Sequence, residues 1–208
     1  MKKVAVVILN WNGRKLLEEF LPSVVNFTNT EIADIIIADN NSTDDSIEFL
    51  SSYYPTLEVI ALPQNYGYAD GYNKTLKLLN HEYYVLLNSD VEVTANWLDP
   101  LYQYIEQHTD VAAIQPKVLA QHNKSCFEYA GAAGGFIDKL GYPFCRGRIF
   151  NQVEKDTDQY NTPLEIFWAT GACLFIRSSD YWNAGGLDAS FFAHMEDCLL
   201  YTSDAADE

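Results

Sequence analysis

Apolar residues run unbroken from Val4 to Leu9, too few for a membrane span and right for a strand buried on both faces. Asn10-Trp11-Asn12-Gly13 breaks the run as a loop. Apolar positions at Leu16, Leu17, Phe20, Leu21, Val24 and Val25 then recur with the period of a helix starting near Arg14. The alternation repeats. Residues 35–38 predict a second strand that closes on Asp39-Asn40-Asn41-Ser42-Thr43-Asp44-Asp45, where Ser42 or Thr43 is expected to cap a helix carrying Ile47, Phe49 and Leu50. Residues 57–62 predict a third strand. Asn65-Tyr66-Gly67-Tyr68-Ala69-Asp70-Gly71 reads as a glycine-bearing loop entering a helix with Leu76, Leu78 and Leu79. Residues 83–87 predict a fourth strand, residues 97–105 a helix, and residues 111–114 the start of a further strand.

Four strand–helix units in succession imply an α/β fold: a mostly parallel, Rossmann-like mixed sheet with helices on both faces. After Val118 the pattern changes. Residues 120–165 are rich in Gly, Asn, Asp and aromatics and predict loops and antiparallel hairpins, before Phe167 to Ile176 returns to an apolar run. The expected organisation is one domain over residues 1–197, with a nucleotide-binding half at 1–118 and a mixed half at 119–197. Residues 198–208 carry no helix or strand pattern and read as a non-native tail of the kind a sequencing adapter encodes. On that reading the natural chain continues past Asp197 and the fold is incomplete at its C-terminus.

Composition narrows the partners. With 13 basic and 29 acidic residues the chain carries a formal charge of −16, which argues against nucleic acid as a partner. A nucleotide stays open, because a bound cation can supply positive charge locally. The cysteines (Cys126, Cys145, Cys173 and Cys198) form no Cys-x-x-Cys pair, so a zinc site is not expected; reduced thiols are favoured over a Cys126–Cys145 bridge.

The candidate chemistry gathers where predicted strands end. The fourth strand runs straight into Asn88-Ser89-Asp90, delivering a carboxylate to the edge of the sheet where α/β folds bind ligands. Such a group can hold a divalent cation by oxygen, and the cation a diphosphate; the plain alternative is turn chemistry that closes a strand. The loop after the first strand has one glycine, so neither a dinucleotide fingerprint nor a Gly-Lys-Ser/Thr phosphate loop is present. A sugar-nucleotide pyrophosphorylase, which would want a glycine-rich loop there, is disfavoured on the same ground.

Five patterns in order carry a resemblance: Val6-Val7-Ile8-Leu9-Asn10-Trp11-Asn12-Gly13; Ala38-Asp39-Asn40-Asn41-Ser42-Thr43-Asp44; Asn65 to Asn73; Leu86-Leu87-Asn88-Ser89-Asp90; and Gly185-Gly186-Leu187-Asp188 leading to Phe191-Phe192-Ala193-His194-Met195-Glu196-Asp197. Together they resemble the inverting glycosyltransferases of family 2, with their GT-A fold, and most closely the rhamnosyltransferase-like branch. The chain departs from that pattern at Asn41, where a glycine is usual, at Asp70 and Tyr72, and at Ser89, which replaces a common proline. Asn tolerates the left-handed backbone, so the turn at Asn41 can survive.

The resemblance implies roles. Asn10, Asn12 and Asn41 would line base and ribose, and Asp39 would accept a hydrogen bond from a pyrimidine imide; ordinary turn and cap chemistry is the alternative for each. Asn65, Gly67, Gly71 and Asn73 would let backbone approach ribose and diphosphate. Asp90 would ligate Mg²⁺ or Mn²⁺, with Asn88 and Ser89 shaping the site. Asp197 would act as general base on the acceptor hydroxyl, supported by Glu196. Gly171, Asp188 and His194 are expected on the acceptor side, as is Trp168, either as a sugar platform or as a core residue. The implied reaction takes a UDP- or dTDP-sugar, dTDP-rhamnose among them, to a hydroxyl of a cell-surface polysaccharide or lipid-linked glycan. The expected location is cytoplasmic, at the inner face of the membrane, with peripheral attachment through a region beyond residue 197. The rival is a catalytically inactive sugar-nucleotide or glycan-binding module.

Overall fold

The first strand extends one residue past its apolar run: β1 spans Val4–Asn10 and is buried along nearly its whole length in the computed structural model, which describes residues 2–190. It is followed by α1 (Arg14–Phe27), β2 (Ala33–Asp39), α2 (Ser46–Tyr53), β3 (Glu58–Ala61), α3 (Gly67–Leu76), β4 (Tyr83–Leu87), α4 (Asp99–Gln107) and the short β5 (Ala113–Ile114). Three small hairpins come next: β6 (Leu119–Ala120) with β7 (Asn123–Phe127), β8 (Gly135–Ile137) with β9 (Pro143–Cys145), and β10 (Arg148–Ile149) with β11 (Gln152–Val153). The described chain ends with β12 (Cys173–Arg177) and α5 (Ser178–Asn183).

The main sheet has the order β3-β2-β1-β4-β12-β5. β3, β2, β1 and β4 are parallel, and β12 runs antiparallel to both of its neighbours. Alternation along β1 sends Val4, Val6 and Ile8 to one face, where Leu17, Leu21, Phe49 and Ile105 of α1, α2 and α4 cover them. Ala5 and Val7 go to the other face, packed by Ala69, Tyr72 and Leu76 of α3 and Tyr181 of α5. Helices therefore cover both faces, as the strand–helix alternation requires.

Three local expectations are corrected. The strand expected at 111–114 shrinks to two residues at the sheet edge, because the fully buried apolar stretch of β12 takes the place beside β4. Neither Ser42 nor Thr43 caps α2. Asp44 accepts from the Ser46 amide and hydroxyl instead, leaving the Ser42 hydroxyl to accept from Asn10 and Asn12. The loop expected at 65–71 is already helical from Gly67, because the Asn40 and Asn65 side-chain oxygens take the amides of Tyr66 and Gly67; Leu78 and Leu79 fall beyond the helix end.

The edge opposite the strand ends is tied by charge. The Tyr83 hydroxyl and the Lys3 ammonium both donate to the Glu106 carboxylate of α4, and these bonds hold its pKa below the ordinary 4.5. Folding lowers this pKa, so the stabilisation is complete above that ordinary value and is lost as pH falls through the lower folded one. Glu106→Gln is expected to lower stability at pH 7 and to flatten the decline of the melting temperature below pH 4.5. Parallel acid limbs in the two proteins would contradict this.

Candidate functional site

β1, β2 and β4 end at one edge, and their last residues meet there. Asn10 stands opposite Asp39 in register, and its side-chain amide donates to Asp39 Oδ1 at 3.0 Å and to the Ser42 hydroxyl at 3.1 Å. Asp39 is 3% exposed, and its Oδ2 accepts from the Ser42 amide. Asn12 holds φ at 52° and turns its side-chain oxygen onto the amides of Thr43 and Asp44, joining the loops after β1 and β2. Asn41 adopts φ 62°, the left-handed backbone that replacement of glycine by Asn requires. The side-chain oxygen of Asn10 is buried with no partner among the described residues and lies against Gly13, where an added Cβ would approach it to 2.4 Å. Gly13 is therefore needed for close packing rather than for a left-handed backbone.

Beside this edge opens a cleft of about 970 Å³. Its floor is the end of β4, with Asn88 and Asp90; its walls are residues 116–122 and 128–130 on one side and residues 168–173 on another. Tyr68 of α3 spans toward the second wall, its hydroxyl donating to the Gly171 carbonyl at 3.0 Å. The Ser89 hydroxyl lies on the strand-edge side, 4.0 Å from where a Gly13 Cβ would stand. Asn10, Asn12, Asp39, Asn41 and Asn65 line the strand edge, and Asn88 and Asp90 line the cleft.

Asp90 is exposed and takes no hydrogen bond or ion pair among the described residues. A free carboxylate on a cleft floor, beside the Asn88 amide, offers the oxygen donors a hard divalent cation prefers. Among the described residues no three His, Cys, Asp or Glu side chains converge on one point. That donor set suits Mg²⁺ or Mn²⁺ sharing its shell with substrate phosphate and water, since such ions need only one or two protein carboxylates.

Several expected residues have other work. Asn73 is buried in α3, where its side chain bonds the Tyr181 hydroxyl and both backbone groups of Leu187, so it is withdrawn from nucleotide contact. Gly71 packs its backbone against Leu9 and Asn40, where a Cβ would stand 3.1 Å from each. The Gly67 amide is taken by Asn65, so it does not face an anion. Asp188 turns back on the Ser190 amide at the surface, and the Ser190 bonds hold its pKa down. Trp168 is 9% exposed, its indole packed on Gly135 and its N–H donated to the Phe136 carbonyl; it belongs to a small core with Phe127, Ala132 and Cys145 and reaches the cleft only at its rim. His194, Glu196 and Asp197 lie outside the described residues.

Glu128 was not foreseen. It is half-buried and lines the cleft, its carboxylate accepting from the Ala130 amide. Burial pushes its pKa up, the Ala130 and Tyr129 amides and Arg148 pull it back, and the Asp90 charge adds a smaller upward push. A signal existed in the sequence: Glu128 is the one charged residue between Lys124 and Asp138, in a stretch otherwise apolar, small or hydroxylated.

The fold has counterparts among known proteins. Over 94% of its length the chain is 24% identical to the N-acetylglucosaminyl-diphospho-decaprenol L-rhamnosyltransferase of Mycobacterium tuberculosis, of which it spans 68%. Its fold matches S. aureus TarS 1–349 in complex with UDP at a TM-score of 0.67, with 17% identity over 98% of this chain and 56% of that one. It also matches mannosyltransferase PcManGT from Pyrobaculum calidifontis, in complex with GDP-Man and Mn²⁺, at a TM-score of 0.63, with 15% identity over 94% of this chain and 50% of that one. The chain thus spans about half the length of these solved relatives. The Glycosyl transferase family 2 profile matches residues 5–184, from the first core strand to the turn after α5 and across the whole strand edge and cleft, so the chain belongs to glycosyltransferase family 2.

Proposed function

We propose that the chain is the donor-binding part of an inverting glycosyltransferase that moves a sugar from a UDP- or dTDP-linked donor to a hydroxyl of a lipid-linked glycan or cell-surface polysaccharide. The observation that carries this reading is Asp90, a carboxylate without hydrogen bond or ion pair among the described residues, on the floor of a large cleft next to a strand edge where Asn10 and Asp39 are already hydrogen-bonded in place. The base would sit over the ends of β1 and β2. Asp39 keeps lone pairs beyond those used by Asn10 and Ser42, and a carboxylate suits the pyrimidine imide donor. Because Asp39 is locked from both sides, little is spent in ordering it when the ligand arrives.

Asn88, Ser89 and Asp90 would hold the cation and diphosphate. When bound, the metal supplies Lewis-acid stabilisation of the charge that gathers on the departing nucleoside diphosphate. The acceptor hydroxyl would enter between the walls at 116–130 and 168–173. Asp197, supported by Glu196, is assigned as the base that takes its proton; this assignment rests on the sequence pattern. One in-line displacement at the anomeric carbon inverts its configuration. The name of the mycobacterial relative, with its rhamnosyl group and its diphospho-decaprenol acceptor, favours dTDP-rhamnose and a polyprenol-linked acceptor.

Among the described residues no helix is long and apolar enough to cross a membrane. Titration calorimetry with UDP and dTDP, with and without Mn²⁺, tests the reading. Affinity is expected to rise at least about tenfold with the metal, the gain from one charge-assisted contact. Equal affinities in both conditions would remove the metal-bridged site.

A further inference from the structure

The hairpins after the cleft wall hold a surface that the donor site does not use. Six large apolar side chains, Ile137, Leu140, Tyr142, Phe144, Ile149 and Phe150, stand exposed within fourteen residues, with Leu140 at 73% and Phe150 at 87%. They belong to two adjacent hairpins, β8–β9 and β10–β11, and Phe144 and Ile149 line one shallow hollow between them. Single exposed apolar residues are normal; six large ones crowded onto two neighbouring hairpins are more than that scatter. Phe150 is also held at φ 52° on its hairpin, a backbone that costs energy for a bulky side chain, and it gains no burial in return.

Charge separates this face from the rest of the molecule. Residues 137–155 carry Lys139, Arg146, Arg148 and Lys155 against Asp138 and Glu154, in a chain whose formal charge is −16. Both acids are engaged locally, Asp138 on the amides of Leu140 and Tyr142 and Glu154 on the Tyr160 hydroxyl. Lys139 and Lys155 are exposed and form no ion pair among the described residues. The face is also continuous with the cleft. Arg148 lies 3.7 Å from the Tyr129 ring and donates to the Tyr129 carbonyl, and Tyr129 is part of the cleft wall.

We propose that the tips of the β8–β9 and β10–β11 hairpins form a docking face for an anionic lipid surface, which sets the cleft mouth against the membrane. Apolar side chains would enter the acyl boundary while the exposed Lys139 and Lys155 meet lipid phosphates, the combination by which peripheral proteins hold to bilayers. A second copy of the chain is the less favoured occupant, since like charges would face each other across a symmetric contact. The use of such docking rests on the reading that the acceptor is lipid-linked; the docking itself does not.

Co-sedimentation with phosphatidylcholine vesicles, with and without phosphatidylglycerol, tests this on the chain itself. Binding is expected to phosphatidylglycerol vesicles and to weaken as salt rises. It is expected to fall at least about tenfold in L140S/F150S and in K139E, since each removes contacts of the kind that hold peripheral proteins. These side chains are exposed and away from the cleft, so the melting temperature and UDP affinity are expected to stay at the parent values. Vesicle binding that is absent, or unchanged in L140S/F150S, overturns the proposal. So does a dimer seen by sedimentation velocity that L140S/F150S dissolves, which assigns the face to a second copy. Loss of UDP binding with vesicle binding intact counts against the donor-site reading alone.

Discussion

In Asp90→Ala the affinity for UDP is expected to become independent of Mn²⁺, with the affinity in the presence of the metal falling at least about tenfold, the whole of the gain that the ion gives the parent. Asp90 offers this test unusually cleanly. It is exposed and makes no hydrogen bond or ion pair among the described residues, so its removal leaves no partner stranded. The melting temperature should therefore stay within about 2 °C of the parent, as for a surface change without structural partners. A variant that still gains affinity with Mn²⁺ would show that the ion is held elsewhere, and would detach the cleft floor from the donor-site reading.

The second large effect is structural. Gly135→Ala is expected to destabilise the chain by about 3 kcal/mol and lower the melting temperature by about 6–12 °C, the upper range for overpacking in a domain of this size. A Cβ at 135 would stand 2.1 Å from the Trp168 ring. The ring has little room to move: its N–H donates to the Phe136 carbonyl, and the Gly135 amide donates to the Trp168 carbonyl. Backbone torsion at 135 lies outside the left-handed region, so sterics alone carry the cost. In a Trp168→Ala background the same change should cost under about 1 kcal/mol, since contacting residues couple strongly in double-mutant cycles. Equal costs in both backgrounds would mean that the strain lies in the β8 backbone rather than against the indole.

The two expectations rest on different kinds of legibility. Asp90 could be read from sequence because an apolar strand and its terminal carboxylate are neighbours along the chain. Gly135 could not: its partner is 33 residues away, and a glycine in sequence looks the same whether it serves a turn or makes room for an indole. Asn73 shows the same limit in the other direction. It sits in a motif read as nucleotide-binding, yet its bonds run to Leu187, 114 residues on. Tyr68 reaches Gly171 across 103 residues, and no local period reports such a contact.

By itself the sequence determined the strand–helix alternation, the two-faced burial of β1 and β4, and the delivery of Asn10, Asp39 and Asp90 to strand ends. These follow from hydrophobic periodicity, which is a local property of the chain. Only the tertiary structure decided that β12 lies between β4 and β5, that Asn73 braces Leu187, that Trp168 is core, and that Glu128 shares a cleft with Asp90. Each of those outcomes is a choice among distant partners, settled by which packing buries the most apolar surface while leaving the fewest polar groups unpaired.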